Sequence, residues 1–189
     1  IIYYYCIVTG QQGCESTSSI VTTEIYALPA APVATNEVAC AGGVIPDLTA
    51  TGTTLTWYDD AALAPANQVG VGNNFATGQT AAGVYTYYVT ETSGCEGTST
   101  TVILEIFAIP AAPTLTNQPH EACEGAAVIP ALTATGTNLT WYDDPALAPA
   151  NQVGVGNSFS TGQTAVGVYA YYVTETNPDG CEGPATIVT

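Results

Sequence analysis

Residues 44–92 align without a gap to residues 128–176 and differ at seven of 49 positions, namely 47/131, 54/138, 61/145, 74/158, 76/160, 82/166 and 86/170. Duplication of this fidelity means that one supersecondary unit is folded more than once, so the architecture must be built from a module. The end of the unit occurs three times, as "YYYCIVTGQQGCE", "YTYYVTETSGCE" and "YAYYVTETNPDGCE". Its Gly-Cys-Glu cysteine falls at 14, 95 and 181, spacings of 81 and 86 residues. The chain therefore divides into the C-terminal part of one repeat (1–28), a complete repeat (29–109) and a further repeat (110–189) whose last strand is cut short. "IIYYYCIVTG" reads as the middle of a strand, so a longer parent polypeptide is expected.

Each unit alternates short apolar runs with Gly, Asn and Pro, the punctuation of an all-β domain. In "VIPDLTA" the alternation puts Val44, Pro46, Leu48 and Ala50 on one face, and in "TLTWY" it puts Leu55 and Trp57 inward with Thr56 and Tyr58 outward. Tyr85, Tyr87 and Val89 share a face, as do Val102, Leu104 and Ile106. Weaker strands are expected near "QVGVG" and "NNFATG". Six or seven strands in about 80 residues, with a Trp on the third, describe an immunoglobulin-like β-sandwich. Tyr85 and Tyr169, each two residues before a core position, fit the tyrosine corner at the entry to the sixth strand. Trp57 and Trp141 are therefore core residues. "ALPAAP" (27–32) and "AIPAAP" (108–113) are extended, semi-rigid linkers, and tandem modules joined by them should form a rod.

Charge narrows the function. The chain has 16 acidic residues, no Lys or Arg, and a formal net charge of −16. Nothing here can neutralise phosphates, so nucleic acid is excluded as a partner, and an anionic membrane surface would repel the chain. Schiff-base and P-loop chemistry lack their lysine. With 47% hydrophobic residues, mostly Val, Ile, Tyr and Ala, there is still enough apolar material for sandwich cores. No apolar run is long enough to insert in a bilayer as a helix.

Each full repeat places one cysteine ahead of its second strand (Cys40, Cys123) and one in its last hairpin turn (Cys95, Cys181). One pair per module suggests Cys40–Cys95 and Cys123–Cys181 disulfides. The two positions lie at opposite ends of a standard sandwich, however, and a bridge requires Cα atoms within about 7 Å. Bonds between repeats, Cys14–Cys40 and Cys95–Cys123, are the alternative. Cys6 has no counterpart in the later repeats. With no CxxC and a single histidine, His120, zinc is disfavoured, and His120 reads as an ordinary loop residue.

Asp59–Asp60 and Asp143–Asp144 follow the Trp strand where it turns. Adjacent strand residues point to opposite faces, so they do not converge as an acid/base pair. They could supply oxygens to calcium; otherwise Asp60 caps a turn and Asp59 is solvated. No other cofactor is suggested, and no nucleophile constellation marks an enzyme.

The unit, with its L-T-A-T-G, T-W-Y-D-D, Y-x-Y-Y-V-T-x-T and G-C-E stretches, resembles the immunoglobulin-like repeats of very large Bacteroidota surface adhesins, including gliding-motility adhesins exported by type IX secretion. The resemblance spans 40–106, 123–188 and the tail at 3–25. It implies an extracellular, cell-surface protein of many modules. Neighbouring repeats are then the first partners, and the expected role is a non-enzymatic stalk or filament segment. The alternatives are a polysaccharide-binding module using outward Tyr58, Tyr88, Tyr142 and Tyr172, or a self-assembling filament subunit.

Overall fold

The computed structural model describes residues 1–116, 121–126 and 129–189. They divide into two compact units, one of Ile1–Glu37, Asp47–Thr77 and Tyr85–Leu104, the other of Val38–Pro46, Gly78–Val84 and Glu105–Thr189. The architecture is all-β, built of short antiparallel strands.

In the complete repeat, one sheet runs in the order Asn74–Phe75, Leu48–Thr51, Val33–Ala34. The other runs Glu37–Cys40, Thr100–Phe107, Gly83–Ser93, Leu55–Tyr58, Gln68–Val71, and the short strand Cys95–Glu96 folds back on to Gly83–Ser93. The following repeat has a three-stranded sheet, Thr114–Thr116, Leu132–Thr135, Ser158–Phe159, and a four-stranded one, Gln152–Val155, Leu139–Tyr142, Tyr171–Glu175, Thr186–Val188. Residues 1–28 form two antiparallel pairings, Ile2–Tyr4 with Val21–Thr23 and Ile7–Thr9 with Glu15–Thr17, all exposed.

Trp57 and Trp141 are wholly buried. Each ring stacks on a Phe of the facing sheet, Trp57 on Phe75 at 5.5 Å between centroids and Trp141 on Phe159 at 5.6 Å. The Phe then meets Tyr87 or Tyr171 edge-on at 5.2 or 5.3 Å. A buried indole N–H needs an acceptor, and each finds one at 2.8 Å, Trp57 in the Gly72 carbonyl and Trp141 in the Gly156 carbonyl. Gly70 and Gly154 lie under the Phe rings, where a Cβ would collide. The Tyr169 hydroxyl donates to the Ala165 carbonyl four residues upstream at 3.2 Å, which is the tyrosine-corner bond, while its ring is half-buried against the core. Tyr85 is half-buried likewise.

Two strand expectations are corrected. The second strand begins at Leu48, and Val44 is 94% exposed. A turn closed by the Gly43 amide on the Cys40 carbonyl, with Gly42 at φ +80°, interrupts the run, and Pro46 has no N–H to offer a ladder. Tyr58 and Tyr142, expected on the open outer face, are buried at 6% and 7% exposure. What covers them is the site described next.

Candidate functional site

The Gly-Cys-Glu hairpin folds back over the outer face of the Trp strand. In the complete repeat, the Gly97 amide donates to the Glu91 carbonyl at 2.8 Å, which swings Glu96 across the sheet. Its carboxylate accepts the Tyr58 hydroxyl at 2.8 Å and the wholly buried Thr90 hydroxyl at 2.7 Å on one oxygen, Oε1. The next repeat repeats this with Glu182, Tyr142 at 2.9 Å and Thr174 at 2.5 Å. Burial first, and then the hydrogen bond and charge of the glutamate, raise the Tyr58 and Tyr142 phenols above their ordinary pKa. Sequence reasoning missed this cluster. Its signal was the glutamate, present in all three Gly-Cys-Glu turns.

The hairpin also rests on the linker that enters its own repeat. A side chain at Gly97 would collide with the Pro29 carbonyl, and one at Gly183 with the Pro110 carbonyl. Thr100 donates to the Pro32 carbonyl at 2.5 Å and Thr186 to the Pro113 carbonyl at 2.6 Å. The prolines offer carbonyls and no N–H, so acceptors face the module and need donors from it.

Cys40 is bonded to Cys181, with Cα atoms 5.6 Å apart and 141 positions between them in sequence. Cys6, Cys14, Cys95 and Cys123 are free. The bond differs from Cys40–Cys95 and Cys123–Cys181, and equally from Cys14–Cys40 and Cys95–Cys123. Its reason is positional. Cys40 sits at the exit end of its repeat, since the adjacent Ala41 amide donates to the carbonyl of Phe107, last residue of the last strand. Cys181 belongs to the hairpin on the linker that follows Phe107, where Asn177 Nδ2 donates to the Ala108 carbonyl at 2.8 Å. Both cysteines fall in the second compact unit. Cys95 instead lies beside Gly94, which packs on Tyr26 at the entry to its repeat.

The acidic pairs spread apart. Asp60 Oδ1 accepts the Ala62 amide and Asp144 Oδ1 the Ala146 amide, both at 2.8 Å, as turn caps. Asp59 and Asp143 are exposed. The turns hold Leu63 and Leu147 at φ +51° and +52°, a left-handed conformation imposed twice on a bulky residue. Among the described residues no three His, Cys, Asp or Glu side chains gather as a metal site. His120 lies outside the described residues.

A second carboxylate is held opposite the start of the Trp strand, where Glu91 pairs with Leu55 and Glu175 with Leu139. Glu91 accepts the Thr53 hydroxyl at 2.6 Å and the Thr54 amide at 2.9 Å, and Glu175 accepts the Thr137 hydroxyl at 2.6 Å and amide at 2.9 Å. The hydroxyl first, then the amides, hold both carboxyls below the ordinary glutamate value.

Two stretches, 29–107 and 110–189, match the family model described as "Ig-like domain CHU_C associated". Among solved structures, the chain is similar to the fibronectin(III)-like modules of Clostridium thermocellum CbhA, at 15% identity and TM-score 0.41, covering 82% of this chain and 87% of that one. It is also similar to the chicken CNTN1 FN1-FN3 domains, at 12% identity and TM-score 0.38, covering 98% of this chain and 73% of that one. No curated protein matches.

Proposed function

The chain belongs to the family of Ig-like domains associated with CHU_C, in two tandem copies, and on that premise we propose that it is a structural segment of an extracellular surface protein. In this reading it is a stalk whose repeats set reach, in an adhesin that serves attachment or gliding. One observation carries it: the Cys40–Cys181 bond fastens the exit turn of one repeat to the entry hairpin of the next. A binding module has no need to be welded to its neighbour, whereas a load-bearing spacer gains from it. Disulfides persist in oxidising compartments, which supports placement outside the cytoplasm. The excess of carboxylates keeps neighbouring copies apart. The reading is non-enzymatic and needs no cofactor; calcium on Asp59–Asp60 or Asp143–Asp144 would show as a change in melting curve between Ca²⁺ and chelator.

The polysaccharide-binding alternative loses half its platform, because Tyr58 and Tyr142 are buried and only the half-buried Tyr88 and Tyr172 remain. Passing the oxidised chain over a panel of immobilised polysaccharides tests the choice. A spacer is not retained; retention abolished by Tyr88→Ala would establish the binding module instead. Sedimentation at rising Ca²⁺ addresses the self-assembling filament, which would associate.

A further inference from the structure

Cys123 and Cys95 are the repeat counterparts of the two bonded cysteines, Cys40 and Cys181. The local geometry is reproduced as well. Cys123 opens the same turn as Cys40: the Ala126 amide donates to its carbonyl at 3.0 Å with Gly125 at φ +75°, against 3.1 Å and Gly42 at +80°. Cys95, like Cys181, follows a left-handed glycine, Gly94 at φ +76° against Gly180 at +85°. Both then lead into the same glutamate clasp and the same contact with the entering proline linker. Yet Cys95 and Cys123 are free, Cys123 exposed and Cys95 partly so.

We propose that Cys95 and Cys123 are open halves of the same staple. Cys123 takes the Gly-Cys-Glu cysteine of a following repeat, and Cys95 takes the cysteine ahead of the second strand of a preceding one. An array is then crosslinked at every joint, always from the exit turn of one module to the entry hairpin of the next. The inference rests on the stalk reading and specifies its covalent partner, a further repeat of the same kind. Each bond forms as two cysteine thiols lose two protons and two electrons to a disulfide oxidant, which leaves as two thiols. Residues that clasp the hairpin, Glu96 and Glu182 among them, act here only by positioning the turn.

Two lengthened chains test this by counting free thiols after oxidation; the chain itself should show four. The first carries a second copy of residues 104–189 after Thr189, which completes the last strand and adds two cysteines. The count should stay at four, and peptide mapping should link Cys123 to the added counterpart of Cys181. Introducing Cys123→Ser should raise it to five by freeing that counterpart. The second carries a copy of residues 29–81 before Ile1, adding one cysteine. Its count should fall to three, with Cys95 linked to the added counterpart of Cys40. Buried-tryptophan fluorescence reports whether each added copy folds, and either extension suffices if the other does not. Six free thiols in a folded first chain, or five in a folded second, overturn the proposal. Because polysaccharide retention is measured on the original chain, that result leaves the stalk reading standing.

Discussion

The Tyr58 hydroxyl donates to Oε1 of Glu96 at 2.8 Å across 38 positions of sequence. This bond ties the Trp strand to the last hairpin and, through the hairpin, to the linker. Removing the donor leaves the carboxylate of Glu96, an exposed residue, short of a charge-assisted hydrogen bond. Tyr58→Phe should therefore destabilise its repeat by about 1.5–3 kcal/mol. Denaturant melts read it directly; a loss within error would mean that water replaces the hydroxyl.

The same bond has a pH signature. Folding raises the Tyr58 and Tyr142 phenol pKa above the ordinary 10.0, so the stability it reflects is complete below that value and is lost as pH rises through the folded pKa. Glu96→Gln and Glu182→Gln remove the glutamate's charge. An alkaline titration of tyrosinate absorbance should show two phenols ionising late in the parent and earlier in the doubly substituted chain.

Acid acts on the other carboxylates. The folded pKa of Glu91 and Glu175 lies below the ordinary 4.5, so their contribution is present above that value and disappears as pH falls through the folded one. Thr53→Ala with Thr137→Ala removes the principal cause of the shift. Stability of the parent should fall more steeply than that of the variant between roughly pH 5 and 2. Parallel profiles would contradict the assignment.

In the cores, Trp57→Ala or Trp141→Ala should cost roughly 3–5 kcal/mol, since each empties the centre of a sandwich. Gly70→Ala or Gly154→Ala should also destabilise, by about 1–3 kcal/mol, because the new methyl group strikes the Phe ring stacked on the Trp. Thermal unfolding of each variant tests both, with a neutral glycine substitution as the contrary result.

Cys181→Ser, or reduction of the parent, removes a crosslink closing a 141-residue separation. The expected loss is about 2–5 kcal/mol, and adding reductant to the variant should change nothing further. A variant that still responds to reductant would reveal a second bond.

The sandwich was legible because its cores obey a period of two: Leu55 and Trp57, Tyr87 and Val89, and Val102, Leu104 and Ile106 all point inward as the alternation requires. Alternation assigns a residue to a face but does not say what lies over that face. Alternation alone therefore puts Tyr58 in solvent, whereas a hairpin nearly forty residues later returns to cover it. Val44 failed differently: a glycine turn broke the run before the ladder began. The spacing of the cysteines gave two sets of pairings, and the bond formed, Cys40–Cys181, belongs to neither. What a single module cannot reveal is that its exit turn faces the entry hairpin of its successor.

The Cys40–Cys181 bond also decides which part of the chain can feel tension. A pull applied at Ile1 and Thr189 passes from Cys40 to Cys181 through sulfur and bypasses everything between. Roughly 470–510 Å of extended polypeptide, at ~3.3–3.6 Å per residue over that 141-residue separation, is hidden length. Both tryptophan cores lie inside the loop. They can melt and refold with temperature, but they cannot be drawn out by load until a covalent bond is reduced, so stretch in such a segment is set by redox state before it is set by fold stability.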